Sequence, residues 1–230
     1  MILMRIAICS AKKDKRVERL IKAHGFQIVK NNPDVVICFG GDGTILYAER
    51  LYPSVPKIPI KTTKICRKCD LTFQRFRYVL ERLKEGKFKI KKEMKLQAKF
   101  KGKKMVALNE IQIHTKYPIK AVRFSVFYDG KKFENLIGDG VIVATPFGST
   151  AYYQSTGGKP FKKGIGISFN NLYPKSIPSF AVDVKSKIKI KVLRERAYLI
   201  ADNSEKFYEM KPRDQVIISQ SKGKASFVCF

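Results

Sequence analysis

The sequence predicts a chain of two units, an α/β unit followed by a mostly β unit. Strand and helix patterns alternate in the first third of the chain, as they do in proteins whose parallel sheet is covered by helices. Near Gly86 the pattern changes to a strict alternation of apolar and polar residues, which is typical of half-buried strands. We therefore divide the chain into residues 1–88 and residues 89–230.

The N-terminal unit is predicted to be a Rossmann-like layer with a parallel sheet. Val35–Phe39 is a continuous apolar run that leads into glycines, which favours a strand buried on both faces. Arg5–Cys9 forms a shorter apolar strand pattern, and a helical pattern over residues 12–24 ends at Gly25. The remaining elements are a helix from about Thr44 to before Pro53, a strand over residues 56–60 and a helix over residues 73–83.

The C-terminal unit is predicted to consist mainly of strands. Met94–Phe100 alternates between apolar and polar residues, and a short turn sequence leads from it into an apolar stretch over residues 105–114. Asp129-Gly130 between two strand patterns predicts a two-residue hairpin turn. Further strands are expected over residues 186–192, 197–201, 216–219 and 226–230.

The chain is strongly basic, with 47 Lys and Arg against 19 Asp and Glu and a formal net charge of +28. Such a charge attracts nucleic acids, acidic membranes and phosphorylated small molecules. An equally good explanation of the charge is that the lysines only keep the surface solvated. The sequence has no helix-turn-helix pattern, zinc-finger spacing or RNA-recognition motif. Nucleic-acid binding is therefore not expected beyond non-specific attraction.

Membrane insertion and secretion are not expected from the sequence. It has no run of 18 apolar residues, and its first residues lack the long apolar stretch and the cleavage site of a secretory signal. The five cysteines are odd in number, and Cys9, Cys38 and Cys229 lie in apolar strand patterns. We therefore expect a cytoplasmic protein without a disulfide scaffold.

The segment Gly40-Gly41-Asp42-Gly43-Thr44 lies between the buried strand and a helix. Glycines at such a turn let backbone N–H groups approach an anion closely, and the helix N-terminus adds partial positive charge, so a phosphate is expected here. Because a carboxylate repels phosphate, Asp42 is interpreted as the group that orients an attacking hydroxyl or takes its proton. The alternative is a tight turn in which Asp42 caps the helix.

Two further segments carry polar residues suited to a nucleoside. Asn109-Glu110 interrupts an apolar run, and its side chains match ribose hydroxyls or an adenine amino group, although an exposed strand end explains the pair as well. Residues 138–158 contain a small acidic turn, an apolar strand and a loop of small and hydroxyl-bearing residues. In this loop we expect close contact with a nucleoside, on whose base Tyr152 could stack, and a purely structural loop is the alternative.

The order and spacing of these three segments closely resemble the NAD kinase family. The resemblance covers most of the chain and implies an N-terminal α/β domain and a C-terminal β-sandwich domain. It also implies an enzyme that transfers the γ-phosphoryl group of ATP to the 2′-hydroxyl of the adenosine ribose of NAD, giving NADP. Polyphosphate is the alternative donor.

By the same resemblance, Asp42 is expected to be the catalytic residue. Mg²⁺ or another divalent cation is expected to accompany ATP, no side chain is assigned as a metal ligand, and the chain is expected to form homodimers or tetramers. The phosphate-binding residues are expected to be Gly40, Gly41, Gly43 and Thr44, and the NAD-binding residues Asn109, Glu110, Asp139, Thr150, Ala151, Tyr152 and Ser155.

The segment Ile60–Asp70 departs from the family pattern, because the glycine-rich stretch that the family has after the first motif is absent. Two alternatives therefore stay open. One is a related kinase with another hydroxyl acceptor, such as an inositol, a sugar, a nucleoside or a lipid head group. The other is a non-catalytic protein that binds nucleotides or nucleic acid.

Within that segment, Cys66 and Cys69 are separated by two residues. We interpret the pair as part of an ordinary loop or helix start. Half of a zinc site and a redox pair are the alternatives, and the sequence offers few other ligands, since its histidines are His24 and His114 alone.

Overall fold

The computed structural model describes residues 4–11, 14–64, 66–174 and 176–230, and the chain divides into two compact units. The first unit comprises Met1–Glu93 and Lys224–Phe230, and the second comprises Met94–Gly223. The sequence-based division at residue 88 assigned the last residues to the second unit. The two divisions differ there because a strand that returns to an early sheet leaves no local signal in the sequence.

The first unit is a parallel sheet with helices. Its sheet has the order β2-β1-β3-β4, β5 pairs with β4, and all of these pairings are parallel. The strands are β1 (Arg5–Ser10), β2 (Gln27–Ile28), β3 (Val35–Gly40), β4 (Lys57–Lys61) and β5 (Leu71–Thr72). The helices are α1 (Lys15–Ala23), α2 (Asp42–Leu51) and α3 (Phe76–Lys84), the last preceded by a 3₁₀ turn over Phe73–Arg75.

The core of the first unit follows the apolar pattern of the sequence. All six residues of β3 are buried, as expected for a strand covered on both faces. The apolar stripe of α3 is buried too, which confirms the helical spacing read from the sequence. Helix α1 begins at Lys15 because the side chain of Asp14 accepts a hydrogen bond from the backbone N–H of Arg16 at 2.9 Å, whereas residues 12 and 13 lie outside the described residues.

A buried ion pair ties α2 to the sheet. Lys57 on β4 and Glu49 on α2 contact each other, and their side chains are 0% and 6% exposed. The ammonium of Lys57 also donates to the carbonyl oxygen of Tyr52 at 2.7 Å, and a carboxylate oxygen of Glu49 accepts from the backbone N–H of Ser54 at 3.3 Å. Among the residues that the structure describes, none of the helices is long and apolar enough to cross a membrane.

The second unit consists of two antiparallel sheets. One has the order β13-β12-β11-β8-β15-β16, and the other contains β10-β9-β14-β17, with β6 on β17 and β7 on β6. A short helix, α4 (Tyr152–Ser155), follows a 3₁₀ turn over Gly148–Thr150. The strands are β6 (Lys89–Phe100), β7 (Lys103–Ala107), β8 (Glu110–Thr115), β9 (Val122–Tyr128), β10 (Lys131–Gly138), β11 (Gly140–Ala144), β12 (Ile165–Asn170), β13 (Phe180–Val182), β14 (Ile188–Arg194), β15 (Ala197–Ala201), β16 (Tyr208–Met210) and β17 (Gln215–Cys229).

The two sheets of the second unit share one apolar core. The alternate residues of their strands point into it, and the rings of Phe124 on β9 and Phe169 on β12 pack with centroids 6.5 Å apart. This arrangement is the predicted β-sandwich. The predicted hairpin is also present, since Asp129 and Gly130 have φ angles of 46° and 74°, both positive as a two-residue turn of this kind requires.

Two strand predictions are corrected by the structure. The apolar stretch over residues 105–114 is not one strand, because β7 ends at Ala107 and β8 begins at Glu110. The patterns over residues 216–219 and 226–230 belong to one long strand, β17, whose Phe227 pairs with Lys57 of β4. In both cases the deciding contact is with a residue far away in the sequence.

Candidate active site

The glycine-rich segment forms a single tight turn between β3 and α2. Strand β3 ends at Gly40, Gly41 is the N-cap of α2, and the helix begins at Asp42 rather than near Thr44 as the sequence suggested. A Cβ atom at Gly40 would lie 2.1 Å from Oγ1 of Thr44, so only glycine fits at this position. The four residues expected to bind phosphate, Gly40, Gly41, Gly43 and Thr44, therefore lie together with Asp42 in the first unit.

The side chain of Asp42 contacts a loop rather than the end of its own helix. Helix α2 has no side-chain hydrogen bond at its N-cap, so the reading of Asp42 as a cap is wrong. The half-buried carboxylate instead accepts hydrogen bonds from the backbone N–H of Arg67, 3.2 Å from Oδ2, and of Lys68, 3.1 Å from Oδ1. The first turn of a helix is also a favourable place for a negative charge.

The loop on Asp42 is closed by a disulfide between Cys66 and Cys69. The Sγ of Cys66 lies 3.3 Å from Oδ1 of Asp42, and Asp42, Cys66 and Cys69 are a trio of potential metal ligands within 4.8 Å in the described part of the chain. Sulfurs bonded to each other offer no thiolate to zinc. The pair is therefore a disulfide in this structure, which corrects its interpretation as an ordinary loop, while Cys9, Cys38 and Cys229 are free thiols.

In the second unit, Asp202 holds the segment that carries Asn109 and Glu110. Its Oδ2 accepts from the backbone N–H of Leu108 at 2.8 Å, and its Oδ1 accepts from those of Asn109 at 2.7 Å and Glu110 at 3.1 Å. The backbone N–H of Asp202 in turn donates to the carbonyl oxygen of Glu110 at 3.0 Å. These bonds explain why the backbone leaves the strand at Asn109.

Thr145 and Gly148 join the same segment from the end of β11. The hydroxyl of Thr145 donates to the carbonyl oxygen of Leu108 at 2.6 Å and accepts from the backbone N–H of Gly148 at 2.9 Å. The backbone N–H of Thr145 donates to the carbonyl oxygen of Asn109 at 2.8 Å. Two of the segments singled out in the sequence are thus fixed to each other through backbone groups.

Substitution of Gly148 by alanine is expected to lower the free energy of unfolding by about 1–3 kcal/mol. A Cβ atom there would lie 2.2 Å from the carbonyl oxygen of Asn109 and 2.5 Å from its Cα, so the backbone must move. Gly223→Ala is the matched control, because its Cβ would meet only the side chain of Lys95 at 3.8 Å. Urea unfolding of both variants measures this loss, and equal stability of the two variants would contradict the close approach of Gly148 to Asn109.

Asn109 and Glu110 each bury a side-chain oxygen. Asn109 is only 6% exposed and Glu110 only 2%. Nevertheless, Asn109 Oδ1 and Glu110 Oε2 have no hydrogen-bond partner among the described residues. Burial, together with the nearby charge of Asp202, raises the pKa of Glu110 to about 8. Near neutral pH this carboxyl group therefore carries a proton and can donate as well as accept hydrogen bonds.

The raised pKa of Glu110 is expected to make folding stability depend on pH. Between the unfolded value of 4.5 and the folded value of about 8, the folded state holds a proton that the unfolded state has lost. The contribution of protonated Glu110 to the free energy of unfolding is therefore complete below pH 4.5. It is lost as pH rises towards 8, by at most about 1.4 kcal/mol per pH unit. Urea unfolding at several pH values should show this loss in the wild-type protein but not in Glu110→Gln, and parallel pH profiles would refute it.

Asp139 lies at the opposite end of β11 from Glu110. In the pairing of β11 with β8, Ala144 faces Glu110, and Asp139 precedes Ala144 by five residues, so roughly 17 Å of strand separates Asp139 from the position of Glu110. Asp139 is half-buried and accepts a hydrogen bond from Nδ2 of Asn171 at 2.7 Å. Within this unit the structure does not bring Asp139 together with Asn109 and Glu110, and the two positions suit different parts of an extended ligand.

The remaining predicted residues lie in the loop after β11. Thr150 ends the 3₁₀ turn, and Ala151 directly precedes α4. Tyr152, the first residue of α4, is 57% exposed. The hydroxyl of Ser155 donates to the carbonyl oxygen of Tyr152 at 2.8 Å. Tyr153, by contrast, is buried against Ile142 and Ala144, so α4 is anchored by one tyrosine and exposes the other.

Sequence reasoning missed three contributors to these sites. Asp202 was not among the residues singled out from the sequence, and Thr145 was included only as part of the stretch over residues 138–158. The backbone amides of the 66–69 loop carry no sequence signal at all. Each acts on a residue more than 20 positions away, so the signal that could have found them is a pairing between distant positions.

A glycine turn at a helix N-terminus and a polar strand end in a β-sandwich are features expected of a nucleotide-binding enzyme. Residues 108–230 match the family model of the ATP-NAD kinase C-terminal domain. The NAD kinase of Thermoplasma volcanium is 30% identical over 94% of this chain and 81% of its own length. A bifunctional NADP phosphatase/NAD kinase of Methanococcus maripaludis is 32% identical over 87% of this chain. The matched region covers 38% of the length of that relative. The chain belongs to the NAD kinase family.

Two solved structures have the same fold. An NAD kinase from Archaeoglobus fulgidus in complex with ATP superposes with a TM-score of 0.86 at 24% identity, over 97% of this chain and 93% of that one. Yeast NADH kinase complexed with NADH superposes with a TM-score of 0.85 at 18% identity, over 99% of this chain and 84% of that one. These likenesses confirm the predicted fold class, an α/β unit and a β-sandwich unit of the NAD kinase type.

Proposed function

We propose that the protein is an NAD kinase that transfers the γ-phosphoryl group of ATP to the 2′-hydroxyl of the adenosine ribose of NAD. The observation that carries this proposal is the pair of buried oxygens, Asn109 Oδ1 and Glu110 Oε2, without a partner among the described residues. Such atoms in folded proteins usually mark a bound water, an ion or a functional role. Ribose hydroxyls and the adenine amino group are donors that match them.

Asp42 is the proposed general base. The 2′-hydroxyl would give its proton to a carboxylate oxygen of Asp42 while its oxygen attacks the γ-phosphorus, and ADP would leave as the bond to the β-phosphate breaks. For this step the carboxylate must approach the hydroxyl oxygen to about 2.6–3.2 Å. Asp42 is half-buried in the first turn of α2, beside the turn that suits the phosphates, which supports this role.

The turn formed by Gly40, Gly41, Gly43 and Thr44 is proposed to hold phosphate groups of ATP. A divalent cation such as Mg²⁺ would neutralise charge on the phosphates during transfer, and it prefers oxygen ligands. The trio of candidate ligands in the described part of the chain contains two sulfurs joined in a disulfide, which does not suit Mg²⁺. The residues present therefore fit a cation carried by the phosphate oxygens of ATP rather than one held in a protein cage.

The likenesses to known proteins support both substrates. One structural relative was crystallised with ATP and another with NADH, and curated relatives from two Thermoplasma species are NAD kinases. Self-association into dimers or tetramers is part of the same proposal, and analytical ultracentrifugation tests it. Polyphosphate remains the alternative phosphoryl donor.

A kinase with another hydroxyl acceptor is the second candidate, because the disulfide loop on Asp42 replaces a segment that is glycine-rich in the family. Transfer from ATP labelled at the γ-phosphate distinguishes the two candidates. NAD, NADH, an inositol, a free nucleoside and a sugar are offered separately, and the labelled product is separated by chromatography. We expect label on NAD or NADH, and label only on another acceptor would replace the proposed substrate.

A further inference from the structure

The disulfide between Cys66 and Cys69 lies directly on the carboxylate of Asp42. The Sγ of Cys66 is 3.3 Å from Oδ1 of Asp42, and the Sγ of Cys69 is 3.9 Å from the carbonyl oxygen of Gly40, at the start of the phosphate turn. No part of the proposed phosphoryl transfer uses these sulfurs. Their position beside the reacting carboxylate therefore requires a separate explanation.

The two residues enclosed by the disulfide cover both oxygens of the carboxylate. The backbone N–H of Arg67 donates to Oδ2 at 3.2 Å and that of Lys68 to Oδ1 at 3.1 Å. The disulfide holds the Cα atoms of Cys66 and Cys69 5.5 Å apart, so the peptide between them forms a small closed ring. Asp42 thus receives two amides and one sulfur from a ring whose closure depends on a single covalent bond.

The two cysteines of this disulfide differ in exposure. Cys66 is half-buried, whereas Cys69 is only 9% exposed. The protein's own free thiols are less suited to attack this disulfide. Burial raises the pKa of Cys9 to about 11 and also raises the pKa of Cys38, so neither readily forms a thiolate. Cys229 is exposed but lies outside this loop. A thiolate from solution would therefore reach the protein disulfide at Cys66.

We propose that Cys66 and Cys69 form a reversible thiol–disulfide site that controls access to Asp42, closed when oxidised and open when reduced. The proposal rests on the proposed function, since it takes Asp42 as the base. In the oxidised form the amides and the Cys66 sulfur occupy the places from which a substrate hydroxyl must approach the carboxylate. In the reduced form the ring is open, and the two amides can leave Asp42.

The chemistry is an exchange with a dithiol. A thiolate of the dithiol attacks the Sγ of Cys66, the bond between the two protein sulfurs breaks, and Cys69 leaves as a thiolate that takes up a proton. The second thiol of the dithiol then attacks the mixed disulfide, releases Cys66 as a thiol and closes the dithiol into its own disulfide. The protein disulfide gains two electrons and the dithiol loses two. Dithiothreitol is the dithiol for the test, and a protein dithiol with a C-x-x-C pair is the corresponding cellular class.

The test compares oxidised and reduced forms of the Cys229→Ser protein, whose redox state is verified by alkylation and mass spectrometry. Reduction by dithiothreitol is expected to raise kcat for NADP formation roughly 10-fold, the change expected when one hydrogen bond to a charged group is given up. Cys66→Ser in the same background should show the higher rate with and without dithiothreitol. Equal rates in both redox states, or a Cys66→Ser variant fixed at the lower rate, would overturn the proposal.

A second measurement is independent of catalysis. Amide hydrogen exchange of the 66–69 loop should be slow in the oxidised protein and faster after reduction, because the N–H groups of Arg67 and Lys68 lose Asp42 as acceptor. Unchanged exchange would refute the proposed opening even if NADP forms. Faster exchange in a protein that makes no NADP in either state would refute the proposed function and leave the thiol–disulfide site standing. Zinc bound stoichiometrically to the reduced protein, with a lower rate, would assign the cysteines to a metal site instead.

Discussion

Replacing Asp42 by asparagine is expected to lower kcat for NADP formation by roughly 100- to 10,000-fold, the usual effect of removing a group that transfers a proton in the transition state. Asparagine has nearly the same size, but its amide cannot take the proton of the attacking hydroxyl. Asp42 lies in the first turn of α2 and outside the apolar core of the first unit, so the fold should remain intact. NAD binding should also change little, since Asn109 and Glu110 are unaltered.

The measurement is the steady-state rate at saturating ATP and NAD, with NAD affinity and the free energy of unfolding measured on the same samples. Asp34→Asn is the matched control, because it makes the same chemical change in the same unit at an exposed pair with Arg5. The control is expected to retain full activity. Full activity of Asp42→Asn itself would remove Asp42 from the mechanism.

The replacement of Glu49 by alanine is expected to lower the free energy of unfolding by about 3–5 kcal/mol. The variant leaves the ammonium of Lys57 fully buried without the carboxylate of Glu49, and its hydrogen bond to the carbonyl oxygen of Tyr52 does not neutralise the charge. Glu49 lies about two helical turns after Asp42 on α2, so the same pair also holds the helix that carries the proposed base. Urea unfolding measures the loss directly.

The control for this prediction is the double variant Glu49→Leu/Lys57→Met. Replacing both members of a buried pair by apolar residues of similar volume is often neutral or stabilising, so the double variant should be clearly more stable than Glu49→Ala. If Glu49→Ala lowers the free energy of unfolding by less than about 1 kcal/mol, the pair contributes no more than an exposed ion pair does. That result would contradict the burial of Lys57.

Much of the fold could be predicted because its signals are local. The apolar run Val35–Phe39 predicts β3 since a strand buried on both faces needs apolar residues throughout, and Asp129-Gly130 predicts a hairpin since its turn needs positive φ angles. The break between β7 and β8 could not be predicted, because it depends on Asp202, more than 90 residues away. The return of β17 to β4 is likewise a long-range pairing.

The features of the candidate site also fall into two groups, those with a local sequence signal and those set by contacts in three dimensions. Gly40, Asp42, Asn109 and Glu110 could be singled out from residue type and neighbourhood, and the structure places each of them at or beside the end of a strand or the start of a strand or helix. The lack of a hydrogen-bond partner for Oε2 of Glu110 among the described residues could not be anticipated, because it depends on what surrounds the carboxyl group in three dimensions. The contact between Asp42 and the disulfide loop is equally invisible in the sequence, since backbone amides donate regardless of side chain.

The central claim is that this chain phosphorylates NAD with Asp42 as the base. Its most direct test is an assay in which purified protein, Mg²⁺, ATP and NAD are incubated under reducing conditions, and NADP is detected with an NADP-specific dehydrogenase. We expect NADP to form in proportion to the amount of protein and to be lost in Asp42→Asn. Folded protein that binds ATP but forms no NADP, from either ATP or polyphosphate, would contradict the claim.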